Sequence, residues 1–478
     1  GGGGGGGEST AAAAAVSASG GPARPQQLEA LSPGNAAAAA AAAPDSAAAA
    51  AADVSALDPQ VWDHPSWLQG SPLYNCALHQ KAFPYLEQAA DAGHPLAQLR
   101  LGFMFRHGLG VAKDLAVSIN WYQRAAPYAP LVTKRALEGD ADAQADLGRC
   151  LDYGDGVLPN KAEAVKWYTR AAELGNAVAQ NNLAWCFQHG DGVAKDMKAA
   201  VAWFSRAALH GNAKAQGNLA LCYYKGEGVK RDVYTAAKWC LAAAKQGHVD
   251  AQYSIALGYR NGDGCVQDPQ KAATWFIEAA EQGHPGAQFF CGQVYQAGEG
   301  VQRDLKEGKK WFLKAAKQGH PGAACALGDC YKKGKGCEKK PTEAAAWYKV
   351  AAEDNFPTAQ YRLALAYETG VGLSKDLKSA VYWYKKAAFE GKFPAAWNSL
   401  GWCYQNGQGT ERNVKEACKM FQKGAKLGHA ASIYNLGVCR EKGLGCKKDD
   451  NEAIKLYRVA AAKGYQQAQS ALSDMLGE

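Results

Sequence analysis

Apolar positions along this chain recur with the period of a helix. Around its middle, Ala179, Leu183, Ala184 and Phe187 fall at i, i+4, i+5 and i+8, a stripe that predicts one face of an amphipathic helix. Gly190-x-Gly192 follows, and glycine tolerates the left-handed conformation with which helices end, so a stop is expected there. Asp196 then stands where its carboxylate can accept backbone N–H bonds at the start of a second helix. That helix is expected to bury Ala200, Trp203, Phe204 and Ala207. The two-helix frame repeats: Trp121, Trp167, Trp203, Trp239, Trp275, Trp311, Trp347 and Trp383 form one lattice, with a step of 36 residues from Trp167 onward. After the central Leu of each first helix comes a small residue (Gly148, Ala184, Ala220, Gly292, Gly328), which is expected to let helices cross closely. A single helical hairpin cannot bury both its apolar faces, so the copies must stack. The predicted fold is all-α, a right-handed α-solenoid of stacked helix-turn-helix repeats.

Written out, the frame is Ala-Gln-x-x-Leu-(Gly/Ala), an aromatic, Gly-x-Gly-Val, a basic-Asp pair and Ala-x-x-Trp-(Tyr/Phe)-x-x-Ala-Ala. It resembles the Sel-1-like repeat, a relative of the tetratricopeptide repeat. Ten full copies are read over residues 97–461, with residues 57–96 as an N-terminal cap and leading helix and 462–478 as a C-terminal capping helix. The junction 127–142 is longer than the others and holds Pro127 and Pro130, which predicts a hinge or an extra turn. Copy nine gains a residue and carries Met420 on the Trp lattice, while copy ten has Leu456 there and Arg440 in place of the aromatic; a bend or fraying is expected at that end. Residues 1–56, rich in Gly and Ala, offer no core and are expected to be disordered.

Composition adds little to this picture. Of 478 residues, 47% are apolar and 21% charged, ordinary values for a globular chain. Outside the Ala runs no stretch is long and apolar enough for a membrane span. The absence of Asn-x-Ser/Thr and of retention or peroxisomal tails leans toward an intracellular, cytoplasmic protein. The net charge of +8 is uneven. Residues 136–163 are acidic (Asp140, Asp142, Asp146, Asp155 among them), and residues 303–340 are rich in lysine. Both blocks read as solvated helix faces; a basic dock for an acidic partner or anionic surface is the functional alternative.

Patterns of catalytic chemistry are missing. Cys150, Cys186, Cys222, Cys330, Cys403 and Cys439 all lie three residues after the central Leu, facing the core as small apolar residues. Cys330/Cys337 and Cys439/Cys446 are spaced so that they could oxidise, and no Cys-x-x-Cys points to zinc. His94, His248, His284, His320 and His429 follow a turn glycine and are read as capping the C-terminal end of the preceding helix. The Gly-x-Gly turns follow helices rather than strands, which argues against a phosphate loop. No nucleophile motif is present, so no catalytic residue, cofactor or metal is expected and the protein is read as a non-enzyme.

Recognition by a surface remains. Positions next to the central Leu share the face that lines the concave groove of stacked helical repeats, and they include Asn182, Trp185, Asn218, Tyr253, Phe289, Phe290, Tyr361, Arg362, Trp402 and Asn435. Asn amides both donate to and accept from a peptide backbone, and large aromatics anchor interfaces. The resemblance implies a scaffold or adaptor for protein or peptide partners, with a regulatory or targeting region of a larger enzyme or ubiquitin-ligase complex as the alternative. No nucleic-acid partner is expected, and the solenoid is expected to be monomeric.

Overall fold

The structure, a computed structural model, describes residues 63–75, 79–126, 129–155 and 157–476; the segment 1–56 expected to be disordered lies outside them. Every regular element among the described residues is an α-helix. The chain divides into two compact units, residues 1–278 and 279–478. The first holds α1 (Pro65–Asn75), α2 (His79–Asp91), α3 (Pro95–His107), α4 (Leu115–Ala125), α5 (Ala129–Leu137), α6 (Ala141–Tyr153), α7 (Lys161–Glu173), α8 (Ala177–His189), α9 (Met197–Leu209), α10 (Ala213–Lys225), α11 (Val233–Lys245) and α12 (Val249–Asn261). The division falls within α13 (Pro269–Glu281). The second unit continues with α14 (Pro285–Ala297), α15 (Leu305–Lys317), α16 (Pro321–Lys333), α17 (Pro341–Glu353), α18 (Pro357–Thr369), α19 (Leu377–Phe389), α20 (Pro394–Asn406), α21 (Val414–Lys426), α22 (Ala430–Lys442), α23 (Asp450–Ala462) and α24 (Gln466–Leu476). Within each unit a helix packs chiefly on its neighbours in the chain, the pattern of stacked helix-turn-helix repeats.

Local chemistry sets the helix ends. Gly190 takes φ 77° and ψ 30° and donates its N–H to the Cys186 carbonyl, closing α8. Gly192, at φ +71°, is needed for a second reason: a Cβ there would lie 2.3 Å from the Lys161 carbonyl oxygen. The turn after each first helix therefore lies on the opening turn of the preceding second helix, where no side chain fits. Asp196 caps α9 as expected, its Oδ1 accepting from the N–H groups of Lys198 and Ala199 at 2.8 and 3.1 Å.

The core corrects two expectations. Ala200, Phe204 and Ala207 are sealed from solvent, but Trp203 is only half-buried, and the Arg206 guanidinium lies 4.5 Å above its ring. Arg170 and Lys314 likewise cover the rings of Trp167 and Trp311, which are buried. The fully buried aromatic is the next residue: Tyr168, Phe204, Phe312, Tyr348, Phe421 and Tyr457. The small residue after the central Leu makes room for that ring rather than for a neighbouring backbone, since a Cβ on Gly292 would lie 2.4 Å from Phe312.

The recurring histidines cap the start of the following helix, not the end of the preceding one. The Nδ1 atoms of His94, His248, His284, His320 and His429 accept from the backbone N–H three residues on, in α3, α12, α14, α16 and α22. Their backbone is extended, the geometry of an N-cap, which places the ring over the open N–H groups. The recurring glutamine does what those histidines were expected to do. Gln180 Nε2 donates to the Ala172 carbonyl at the end of α7, and Gln98, Gln144, Gln216 and Gln360 repeat the bond.

The long junction is neither a hinge nor a single extra turn but a helix, α5, whose Val132 and Ala136 are buried. No fraying marks copies nine and ten: α20 to α23 each keep thirteen residues, and Met420 is buried in place of the Trp. The additional residue is absorbed in the turn after α19, where Lys392 takes φ +48°.

Candidate functional site

In the first unit, the asparagines of α8 and α10 form a chain of amides. Asn218 Nδ2 donates to Asn181 Oδ1 at 3.3 Å, and Asn181 Nδ2 lies 3.4 Å from Asn182 Oδ1. One turn further along α8, Trp185 is half-buried, with the His189 ring 3.9 Å from its own. Tyr253 does not join this surface. It is buried, its ring 6.0 Å from Phe276.

In the second unit the expected residues separate into two groups. Phe289 stacks on the His320 cap ring at 4.8 Å, and Tyr361 lies 5.2 Å from Phe393, which begins the next first helix. These aromatics, two positions before the central Leu, join one repeat to the next. Phe290, Arg362, Trp402 and Asn435 stay partly or wholly accessible. Arg362 pairs with Asp329 at 2.5 Å, and Tyr348 donates to the same carboxylate at 2.6 Å. Asn435 Nδ2 donates to Asn398 Oδ1 at 2.8 Å, and beside them Trp402 is 50% exposed, the large aromatic of this face that is most open to solvent. Asn181 and Asn398 share the position of Tyr253, Phe289 and Tyr361, two before the central residue, where only aromatics stand out as anchors; their signal is the equal spacing to Asn218 and Asn435.

The pattern of the Sel1 repeat family matches the chain in eleven segments, at 79–94, 95–126 and then without large gaps from 141 to 465. The chain belongs to the Sel1 repeat family. It is similar to the crystal structure of c5321, a protective antigen of uropathogenic Escherichia coli with this fold, at 31% identity over 83% of this chain and 85% of that one, with a TM-score of 0.66. A Sel1 repeat protein from Oxalobacter formigenes is 29% identical over 65% of this chain and 89% of its own length, with a TM-score of 0.53. Comparison with curated proteins gives no match.

Within this Sel1 array the acidic block of the first unit is not a solvated face. Asp146 is buried between two guanidinium groups, with Arg100 Nε and Arg149 Nη2 each 2.9 Å away. Arg100 lies between the rings of Trp67 and Tyr74, at 4.5 and 4.7 Å, and also donates to Ser71. Burial alone would raise the pKa of Asp142, but the Arg100 charge and hydrogen bonds from Ser71 and Asn75 outweigh it and leave the carboxyl below its ordinary value. These contacts clasp α1 across α3 and α6. Asn212 at the head of α10 extends the clasp, its Nδ2 donating to the Asn75 carbonyl at 2.8 Å. No periodic signal announces α1, since its partners lie far along the chain.

Every described cysteine is a free thiol. Those three residues after the central Leu are buried, and Cys337 donates weakly to the Cys330 carbonyl. Hydrogen bonding from Cys439 lowers the pKa of the Cys418 thiol against the effect of burial. Among the described residues no group of three or more His, Cys, Asp or Glu side chains could hold a metal ion, and no helix is long and apolar enough to cross a membrane.

Proposed function

We propose that this Sel1 repeat protein is a non-catalytic scaffold that binds extended peptide segments of other proteins along the exposed face of its first helices. The observation that carries this reading is the amide chain Asn182, Asn181 and Asn218 with Trp185 at its side. An extended peptide presents N–H and C=O groups that asparagine amides can match, while an indole offers a broad apolar contact for one side chain. Phe290, Trp402 and Asn435 supply similar chemistry in the second unit. Phe289 and Tyr361 join one repeat to the next, Tyr253 is buried against Phe276 of its own repeat, and Arg362 is positioned by Asp329. The test is affinity capture from the source cell with wild type and with an Asn182/Trp185/Asn218 triple alanine variant whose helicity is unchanged. A set of proteins retained by wild type and lost with the variant is expected; identical sets would overturn the reading.

A further inference from the structure

The two asparagine bridges are copies of one arrangement. Asn181, Trp185 and Asn218 stand at i, i+4 and i+37, and so do Asn398, Trp402 and Asn435. The geometry matches as well. In each set the later asparagine donates from Nδ2 to the Oδ1 of the earlier one, at 3.3 Å in the first unit and 2.8 Å in the second. The earlier asparagine and the tryptophan share one helix, a turn apart, so the indole lies beside the amide pair. The six side chains fall on the same three positional series, two before, one before and two after the central Leu, and tryptophan occupies the last of these in these two copies and in no other copy of the chain.

The remaining copies explain why the coincidence carries meaning. Where the position two before the central residue is aromatic, as at Phe289, Tyr361 and Tyr434, the ring packs on the head of the following first helix and is spent on holding the stack together. In the two Asn copies that structural ring is replaced by an amide bridge, and an accessible indole is added. A change that gives up packing while gaining an exposed Trp beside polar groups is what a binding surface requires. Among the described residues Asn398 Nδ2 and Asn435 Oδ1 make no further bond in the second set; in the first, Asn218 Oδ1 is open in the same way, but Asn181 Nδ2 faces Asn182 Oδ1 and the open donor is Nδ2 of that neighbouring Asn182. One donor with one acceptor is the complement of a single residue of extended backbone, whose N–H and C=O point to the same side.

We propose that the chain carries two similar peptide sites, one in each unit, each gripping one residue of an extended segment through its open asparagine amide groups (Asn182 and Asn218 in the first, Asn398 and Asn435 in the second) and an adjoining aliphatic or aromatic side chain through its Trp. Both sites therefore take the same short sequence. The flanking residues differ, with Ser399 and Asn406 where the first site has Asn182 and His189, so affinities differ more than the recognised motif does. This inference rests on the reading of the first-helix face as a peptide surface.

The test is selection from a random peptide phage library by wild type, Trp185→Ala, Trp402→Ala and the double variant, followed by calorimetry with the selected peptide. The same consensus is expected from wild type and from each single variant, with two equivalents of peptide bound by wild type, one by each single variant and none by the double. Different consensus motifs from the two single variants, or an unchanged stoichiometry in either, would overturn the duplication while leaving the peptide surface intact. No enrichment by wild type would overturn both. Asn218→Ala and Asn435→Ala, which remove small, partly exposed side chains, repeat the comparison independently of any folding loss caused by the Trp changes.

Discussion

Arg100 and Asp146 form an ion pair closed to solvent, 2.9 Å from Nε to Oδ2, with side-chain exposures of 1% and 4%. Its carboxylate also accepts from Arg149 Nη2, so removing it would leave the buried Arg149 without that carboxylate and Arg100 with Asp142 as its remaining anion. Asp146→Ala is therefore expected to destabilise the protein by about 3–5 kcal/mol, read as a lower denaturant midpoint. A loss below about 1 kcal/mol would mean that the network is solvated.

The turn glycines separate two kinds of cost. Gly247 takes φ +88° with nothing near a Cβ, so Gly247→Ala meets only the left-handed penalty of roughly 1–2 kcal/mol. Gly192→Ala carries that penalty and also drives a methyl into the Lys161 carbonyl. It is expected to lower the thermal midpoint well beyond Gly247→Ala, and equal shifts would contradict the close approach of turn and helix.

Phe312 is buried and Trp402 half-exposed, although both are large aromatics on helices of the repeats. Phe312→Ala is expected to cost about 3–5 kcal/mol, because it leaves a cavity. Trp402→Ala is expected to cost less than about 1 kcal/mol, as surface changes do, and to act on peptide binding instead. Chemical unfolding of the two variants beside wild type decides this.

The histidine caps make stability depend on pH. Burial lowers the pKa values of His248, His320 and His429 below the ordinary value, and each Nδ1 must stay unprotonated to accept its backbone N–H. The unfolded chain takes up these protons first, near pH ~6.5. The contribution of the caps is thus complete above that pH and is lost as the pH falls toward the lower folded values. A triple His→Asn variant, which keeps a capping side chain without titration, is expected to flatten the fall in melting temperature as the pH drops below about 6.5. An identical pH profile in the variant would rule out the caps as its source.

Periodic features were legible because they rest on local chemistry. The turn at Gly190-x-Gly192, the Asp196 cap and the buried Phe204 follow from rules that act within a few residues. What escaped the sequence depends on partners outside that range. A histidine after a turn glycine can serve the helix behind it or the one ahead, and only backbone geometry at His320 decides. The role of Phe289 as a link between repeats, and not as an open anchor, depends on which ring comes to lie opposite. Of the candidate surface, Trp185, Trp402 and the later asparagines were readable as a stripe. The amide bridges from Asn181 and Asn398 were not, since they depend on how far one copy is displaced past the next.

Asn75 and Asn212 touch although 137 positions separate them. An array held only by neighbouring contacts can open one repeat at a time from its ends. The clasp of α1 over α3, α6 and α10 removes that freedom, because freeing the first helix exposes Arg100 and Asp146 and breaks contacts in several repeats at once. The first described repeats are thus expected to open as one cooperative block, their amides sharing a common slow exchange with solvent hydrogen, instead of peeling one helix at a time.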